Sequence, residues 1–394
     1  MTPAVAAVRG QIGPPPQRSR GRAAVPVKPR RFIRLSPTVS RGVPVGAYAG
    51  IVRGTGSARL GVLDVGSNTV HLLVVDAHRG APPTALTSGK TELRLAEQMD
   101  GDGRLTSRGE AKLISVVKRA RAAANAAGCV ELMAFATSAL REATNSTAVL
   151  ARVHAQTGVA LQVLPGEDEA RYTFLAVRRW YGWSAGRLLV LDIGGGSLEL
   201  ATGDTEDPDL AVSVPLGAGR LTRDWFTSDP PRQQEITALR RHLAAVLGPL
   251  AERVHRTGVI TLAVGTSKTF RSLARLSDAN PAGTRPASTA LREQRLLADT
   301  DLRRTMKLVC RTPSADLAKV NGVSLGRAHQ LAAGALVAAT AMRALRLHEL
   351  QTCPWALREG VIFRRLDTLE SEQQHTAVRS AGPSPLLAAA DGRH

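Results

Sequence analysis

Residues 60–76 read LGVLDVGSNTVHLLVVD, and residues 188–204 read LLVLDIGGGSLELATGD. Laid over each other, the two stretches match at seven of seventeen positions, with Val65/Ile193, Thr69/Ser197 and Val70/Leu198 as near matches. Each is an apolar run closing on Asp, then a glycine-containing polar turn, then a second apolar run. That order predicts a strand, a turn of phosphate size and a return strand, with a tip suited to an anion and a metal. Its recurrence predicts two related half-domains facing each other across a cleft.

Around the first hairpin the sequence reads as a further strand region over 84–95 and a helix over 106–127, capped by Thr106 and apolar on the face of Leu113, Val116, Val117 and Ala120. A strand over 130–136, a helix over 141–158, a strand over 160–164 and a helix over 167–180 follow. The pattern restarts at Arg187. A hairpin over 188–201, a helix over 232–257, a strand over 259–264 and a helix from Lys268 are expected, then a mostly helical run from Thr289 with a buried helix over 327–347 and a last helix over 355–366. The alternation predicts an α/β fold. Its first domain covers 58–184 and is completed by a C-terminal helix over 355–367; its second covers 185–354; 368–394 reads as a loose tail.

The 394 residues suffice for two domains, and 43% hydrophobic residues is ordinary for a globular chain. The formal charge is +19. Residues 1–57 hold ten Arg or Lys and no Asp or Glu, so +10 sits there and +9 on the remainder. This first segment, rich in Pro, Gly and Ala, is expected to be a disordered basic tail. It shares the Arg-rich, acid-free bias of organelle transit peptides, and a natural start nearer Val52 is an alternative. The basic body favours polyanionic partners. Aromatics at 3% argue against base-stacking platforms, and so against a specific nucleic-acid partner. Cys129, Cys310 and Cys353 form no CxxC pair, which points to a reducing, cytoplasmic setting. No apolar run reaches the roughly 18 residues of a membrane span, so no membrane partner is expected.

Three turns carry the candidate site. In the first, Gly66, Ser67, Asn68 and Thr69 offer backbone and side-chain donors to phosphate oxygens, and Asp64 could hold a metal or its water; an ordinary hairpin turn is the competing reading. In the second, Gly194, Gly195, Gly196 and Ser197 leave room for a phosphate, or form a simple glycine bulge. Glu199 lies two residues past Ser197 on the same strand face, so Asp192 and Glu199 are two carboxylates near one anion site, which suits Mg²⁺. In the third, Gly265, Thr266, Ser267 and Lys268 stand between a strand and a helix start without forming a GxxxxGK[ST] loop. Glu167, Asp168 and Glu169 open a helix, where acids complement the dipole and one could serve as a general base. Arg141 could meet a phosphate or lie on the surface. His71 aligns with Glu199 in the repeat and reads as a packed or solvated histidine near the site.

These turns, with Arg94-Leu95-Ala96-Glu97, Ala136-Thr137-Ser138-Ala139-Leu140-Arg141, Gly166-Glu167-Asp168-Glu169-Ala170-Arg171 and Ala356-Leu357-Arg358-Glu359-Gly360, are in the order found in one family. Over about residues 59–367 the chain resembles the exopolyphosphatase / guanosine pentaphosphate phosphohydrolase family of the actin, sugar-kinase and heat-shock-chaperone superfamily. The resemblance implies two duplicated actin-like (ribonuclease H-like) domains with an interdomain cleft. It implies a Mg²⁺-assisted hydrolase that releases terminal orthophosphate from polyphosphate, with guanosine pentaphosphate as the alternative substrate. It places the catalytic base at Glu169, the metal carboxylates at Asp192 and Glu199, and phosphate contacts at Arg141, Ser67, Asn68, Gly195, Gly196 and Ser197; Arg94 joins the candidate phosphate contacts. A homodimer is expected. Lys268 departs from the glycine many relatives carry there. The chain also ends soon after Asp367, without the long helical C-terminal region of larger members, so short polyphosphates are the expected substrates. A non-catalytic polyphosphate or alarmone sensor and a kinase are the competing classes.

Overall fold

A computed structural model of the protein describes residues 38–39, 57–78, 80–279 and 295–380. In chain order the first half contains β1 (Thr38–Val39), β2 (Ser57–Val65), β3 (Thr69–His78), β4 (Thr84–Glu92), α1 (Ser107–Ala126), β5 (Glu131–Ala136), α2 (Ser138–Glu142), α3 (Ser146–Thr157), β6 (Gln162–Val163) and α4 (Gly166–Tyr181). The second contains β7 (Leu188–Ile193), β8 (Leu198–Gly203), β9 (Leu210–Val214), α5 (Ala218–Trp225), α6 (Gln233–His255), β10 (Leu262–Gly265), α7 (Lys268–Ala279), β11 (Leu296–Ala298), α8 (Asp299–Val309), α9 (Ser314–Leu317), α10 (Leu325–Ala328), α11 (Leu331–Ala344), β12 (Glu349–Thr352) and α12 (Leu357–Ser380).

The duplication read in the sequence is a duplication of topology. In one sheet β2 pairs antiparallel with β3, β3 with β4, and β2 parallel with β5, which pairs parallel with β6. In the other β7 pairs antiparallel with β8, β8 with β9, and β7 parallel with β10, which pairs parallel with β12. The central strands are apolar runs because both faces are covered. Leu63, Val65, Val70 and Val74 pack with Leu113 and Val117 of α1 and Val149 and Val153 of α3. Leu189, Leu191, Leu198 and Leu200 pack under α6, α7 and α11. Thr106 caps α1 as expected, its hydroxyl accepting the Gly109 N–H at 3.2 Å. From Leu331 to Met342 every residue of α11 is buried, which its all-round apolar sequence requires.

Several expectations are corrected. α4, assigned to the first domain, lies on the second sheet: Ala170, Phe174 and Val177 pack with Leu188, Val190, Ala201 and Ala211. Its apolar face predicted burial but not against which sheet. α12, which follows the second sheet, returns to the first, where Arg365 holds Glu131 of β5 at 2.6 and 2.7 Å. The two helices touch each other: a Cβ on Gly360 would stand 1.8 Å from the Tyr172 carbonyl oxygen. α12 also runs on to Ser380 instead of loosening after Asp367. The first helix breakers, Gly382 and Pro383, lie beyond that point. β9, α5, β11 and β12 were not expected; short elements such as the ELQT of β12 carry little periodicity of their own. Thr38 and Val39 pair antiparallel with β5, so ordered backbone occurs before Arg59. The rest of the basic tail to residue 56, the segment 280–294 and the tail 381–394 lie outside the described residues.

Candidate active site

The two repeated turns close alike. Gly66 N–H donates to Thr69 O at 3.0 Å, and Gly194 N–H to Ser197 O at 2.9 Å. In each half the chain after the third strand folds over the turn: Leu93 and Arg94 N–H reach Asn68 O, and Ala218 N–H reaches Gly194 O, all at 2.9 Å. The turns press against each other across the cleft. A Cβ on Gly195 would lie 2.8 Å from Asn68 Nδ2, and one on Gly196 2.4 Å from Ser138 Oγ. The glycine run is therefore needed for close approach of the opposite half. The Asn68 amide is clasped by Gln330, Nδ2 donating to Oε1 at 2.9 Å and Oδ1 accepting from Nε2 at 3.2 Å. In the third turn Thr266 Oγ1 donates to Asp192 Oδ2 at 2.6 Å, and Thr269 Oγ1 to Ile193 O at 3.1 Å.

Between the turns lies a cavity of about 400 Å³. Four carboxylates, Asp64, Glu169, Asp192 and Glu199, line it. Asp192 and Glu199 are direct cross-strand neighbours, as are Asp64 and His71 at the equivalent position. Burial pushes all four carboxyls up. Glu199 reaches about 7 even though Ser197 and Ser213 hydroxyls favour its charged form. Glu169 is raised well above the carboxylate range by burial and then by Glu199, and Arg141, which donates to its Oε1, works against both. Arg358 Nη1 donates to Asp64 Oδ2 at 3.2 Å.

Five cations, Lys90, Lys268, Arg271, Arg327 and Arg358, line the same cavity. Burial and the adjacent Lys90 ammonium lower Lys268 to about 8. His71 falls to about 4 through burial and the cations Arg358, Lys90, Lys268 and Arg271, so it is neutral; its Nε2 lies 2.6 Å from Ser88 Oγ.

The model of the Ppx/GppA phosphatase family matches residues 73–369. The chain belongs to this family. It is 54% identical over 334 residues to exopolyphosphatase 1 of Mycobacterium tuberculosis, covering 83% of this chain and 96% of that protein. It is 53% identical over 320 residues to exopolyphosphatase 1 of Mycobacterium leprae, covering 81% and 92%. Among solved structures, an exopolyphosphatase from Cytophaga hutchinsonii superposes with a TM-score of 0.70 at 24% identity, over 79% of this chain and 98% of that one. The Aquifex aeolicus Ppx/GppA enzyme superposes with 0.64 at 26% identity, over 78% and 99%. The fold is thus the expected pair of α/β actin-like (ribonuclease H-like) domains.

In this Ppx/GppA phosphatase most of the sequence-derived candidates meet in one cavity: Asp64, Gly66, Ser67, Asn68, Thr69, Glu169, Asp192, Gly194, Gly195, Ser197, Glu199, Thr266, Ser267 and Lys268. Four do not line it. Arg94 is a surface residue paired with Glu92 at 2.9 Å and Glu97 at 3.5 Å. Arg141 stands behind Glu169, also donating to Leu164 O at 3.0 Å. Gly196 lines an adjoining cavity. Gly265 faces away, where its Cβ would strike the Phe270 ring at 2.6 Å. Lys90, Arg271, Arg327 and Gln330 were missed. Nothing in the sequence marks them, because each is a lone polar residue that could equally lie on the surface. Arg358 was noted only as part of a motif.

The donors of the cavity are compatible with the expected Mg²⁺. Among the described residues no three His, Cys, Asp or Glu side chains converge as a ready metal cage. Mg²⁺ does not need one, since it takes one or two carboxylates together with water and substrate phosphates. Asp192 and Glu199, hard oxygen donors whose charge is disfavoured by burial, fit that role; Asp64 already engages Arg358. Among the described residues no helix is long and apolar enough to cross a membrane.

Proposed function

We propose that the protein is an exopolyphosphatase, releasing terminal orthophosphate from inorganic polyphosphate. One observation carries the reading: the cavity sets five cations against four buried carboxylates, and none of its lining residues is Phe, Tyr or Trp. Such a site suits a polyanion without bases. The names of the mycobacterial relatives support it. Guanosine pentaphosphate would bring a purine for which the cavity offers no Phe, Tyr or Trp, and its one ring, His71, is held by Ser88.

Water attacks the terminal phosphorus in line, the bridging P–O bond breaks, and the shortened chain departs with the bridging oxygen. Glu169 accepts the proton of the attacking water; its raised affinity for protons places it closer to neutrality, where a base is effective. Arg141 orients the Glu169 carboxylate and keeps it ionisable. Ser67, Thr69, Ser197 and Ser267 offer hydroxyl donors to the terminal phosphate, and Lys268, Lys90 and Arg327 attract the chain behind it. Asp192 and Glu199 would hold Mg²⁺, which supplies charge neutralisation on the phosphoryl oxygens when bound.

The cavity is short against a long polymer, so we also propose a preference for short chains. We further propose that the protein works in the cytoplasm, where its three buried free cysteines stay reduced, as a homodimer. The deciding experiment compares orthophosphate release from polyphosphates of defined length and from guanosine pentaphosphate, with and without Mg²⁺, in wild type and Glu169→Gln. Turnover on polyphosphate should fall by about 10²–10⁴ in the variant, with binding retained. Equal turnover in both proteins would remove Glu169 as the base, and binding without turnover in the wild type would make the protein a sensor.

A further inference from the structure

The clasp between Asn68 and Gln330 joins the two halves of the molecule, and it can be made in two ways. Asn68 Nδ2 donates to Gln330 Oε1 at 2.9 Å, and Gln330 Nε2 donates to Asn68 Oδ1 at 3.2 Å. The oxygen and nitrogen of a carboxamide fill nearly the same space. If both amides turned over together, both hydrogen bonds would form again with donor and acceptor exchanged. Both side chains are buried, and glycines crowd them: a Cβ on Gly195 would lie 2.8 Å from Asn68 Nδ2, and one on Gly219 2.9 Å from Gln330 Nε2. The amides are held from swinging aside but can turn over in place.

The two orientations differ for the substrate. Asn68 and Gly195 line the catalytic cavity, and Nδ2 is the end of the Asn68 amide towards Gly195. Its second hydrogen has no acceptor among the described residues, so it is a donor for an oxygen of the terminal phosphate. Turned over, the same position would hold a carbonyl oxygen, and the phosphate would meet a lone pair instead of a proton.

A third residue breaks the tie. Gln330 Nε2 lies 3.0 Å from His329 Nε2. The amide nitrogen has only hydrogens to offer, so the ring nitrogen accepts, and the imidazole is neutral with its proton on Nδ1. Burial lowers the His329 pKa and favours that neutral ring; Glu97, whose Oε1 is 4.0 Å from Nε2, works against burial, as do Glu92 and Asp229, while Arg94 works with it. A protonated ring would offer its own N–H to Gln330 and call for the carbonyl there, which turns Asn68 over as well. We infer that His329 and Gln330 are positioning residues for the reaction: together they hold the Asn68 amide with its N–H, and not its carbonyl, towards the terminal phosphate. This inference rests on the exopolyphosphatase reading.

Two substitutions at His329 test it, with melting curves to confirm folding and kcat/KM measured on tripolyphosphate. His329→Leu leaves the clasp intact and removes the acceptor, so the two orientations become comparable in population and kcat/KM should fall about twofold at neutral pH. His329→Lys is a donor at every pH, so it should fix the wrong orientation and lower kcat/KM about 10–100-fold, although it adds positive charge near a polyanion site. His329→Met and His329→Arg stand in for them if either does not fold. In an Asn68→Ala background neither substitution should lower the rate further. The imidazole NMR signal of His329 gives the pH at which the ring takes its proton. Below that pH wild type turns its amides over and His329→Leu does not, so the variant should become the faster protein; the Glu169 limb is common to both and cancels in their ratio. Equal rates for the leucine and lysine variants, a lysine effect that persists in Asn68→Ala, or a ratio that stays flat through the titration overturns the assignment. Calorimetric binding of tripolyphosphate should show the same order and the same reversal. Wild type that binds but forms no orthophosphate removes the exopolyphosphatase reading, and the binding ratios then decide the orientation of Asn68 by themselves.

Discussion

Arg141→Gln separates two roles that a general loss of activity would confuse. In the folded protein Glu169 is buried beside Glu199, and both effects push its pKa up; the Arg141 guanidinium on Oε1 pulls it down. Glutamine keeps a donor for Leu164 O, which Arg141 holds at 3.0 Å, but brings no charge. An opposite charge at contact distance lowers a carboxyl by about 1–3 units, so its loss should raise Glu169 by about that much. A base works only when ionised. The acid limb of the kcat/KM profile should therefore move to higher pH by about 1–3 units, and rates below the limb should fall by about 10–10³-fold. At alkaline pH the variant should approach wild type, unlike Glu169→Gln, which should be depressed at every pH. The assay is initial-rate orthophosphate release from a short polyphosphate across the pH range at fixed ionic strength. An acid limb that stays in place, or a uniform drop at all pH values, would refute the coupling of Arg141 to the base.

Other expectations follow from the same cavity and from the helix contact behind it. Lys268, at about 8, loses its charge as pH rises through that value, so wild-type kcat/KM for polyphosphate should decline there. Lys268→Met should be low and flat across this window, Lys268→Arg should remove the decline, and a wild-type profile without it would show that Lys268 does not titrate. Glu199, ordinarily near 4.5, sits at about 7 in the fold, so the folded state keeps a proton that the unfolded chain releases. Metal-free stability should thus fall as pH rises from the lower value through the higher. Glu199→Gln should flatten that slope and raise the melting temperature at alkaline pH by about 2–4 °C per kcal/mol relieved; calorimetry in a chelator would show a lower or equally sloped melting temperature if the burial penalty is absent. Gly360→Ala would drive a methyl against the Tyr172 carbonyl of α4, where backbone cannot yield. It should cost about 3 kcal/mol or more in denaturant unfolding, and a wild-type midpoint would mean the two helices part freely.

The two hairpins and their turns were legible because they are local. An apolar run, a glycine turn and a return run declare a strand pair within a few residues, and Asp64, Asp192 and Glu199 have fixed places relative to those turns. Their repetition announced the duplicated fold before any packing was known. The acids Glu167, Asp168 and Glu169 were legible as a group in the first turn of a helix that follows a strand, and only the family resemblance singled out Glu169 among them.

Only the tertiary structure decided what faces those groups. Amphipathicity marked α4 as buried but could not say that it crosses to the second sheet, because one apolar face fits any complementary surface. Arg94 and Arg141 looked alike in the sequence, yet one pairs with surface acids while the other holds Glu169 in the cavity wall. Lys90 comes from β4 of the first half and Arg271 and Arg327 from α7 and α10 of the second, so all three share one cavity only when the halves close on each other. Charges interact through space and hydrogen bonds need particular distances. Neither leaves a periodic trace in a sequence, so the carboxylates and turns could be read from the chain, but the cations opposite them could not.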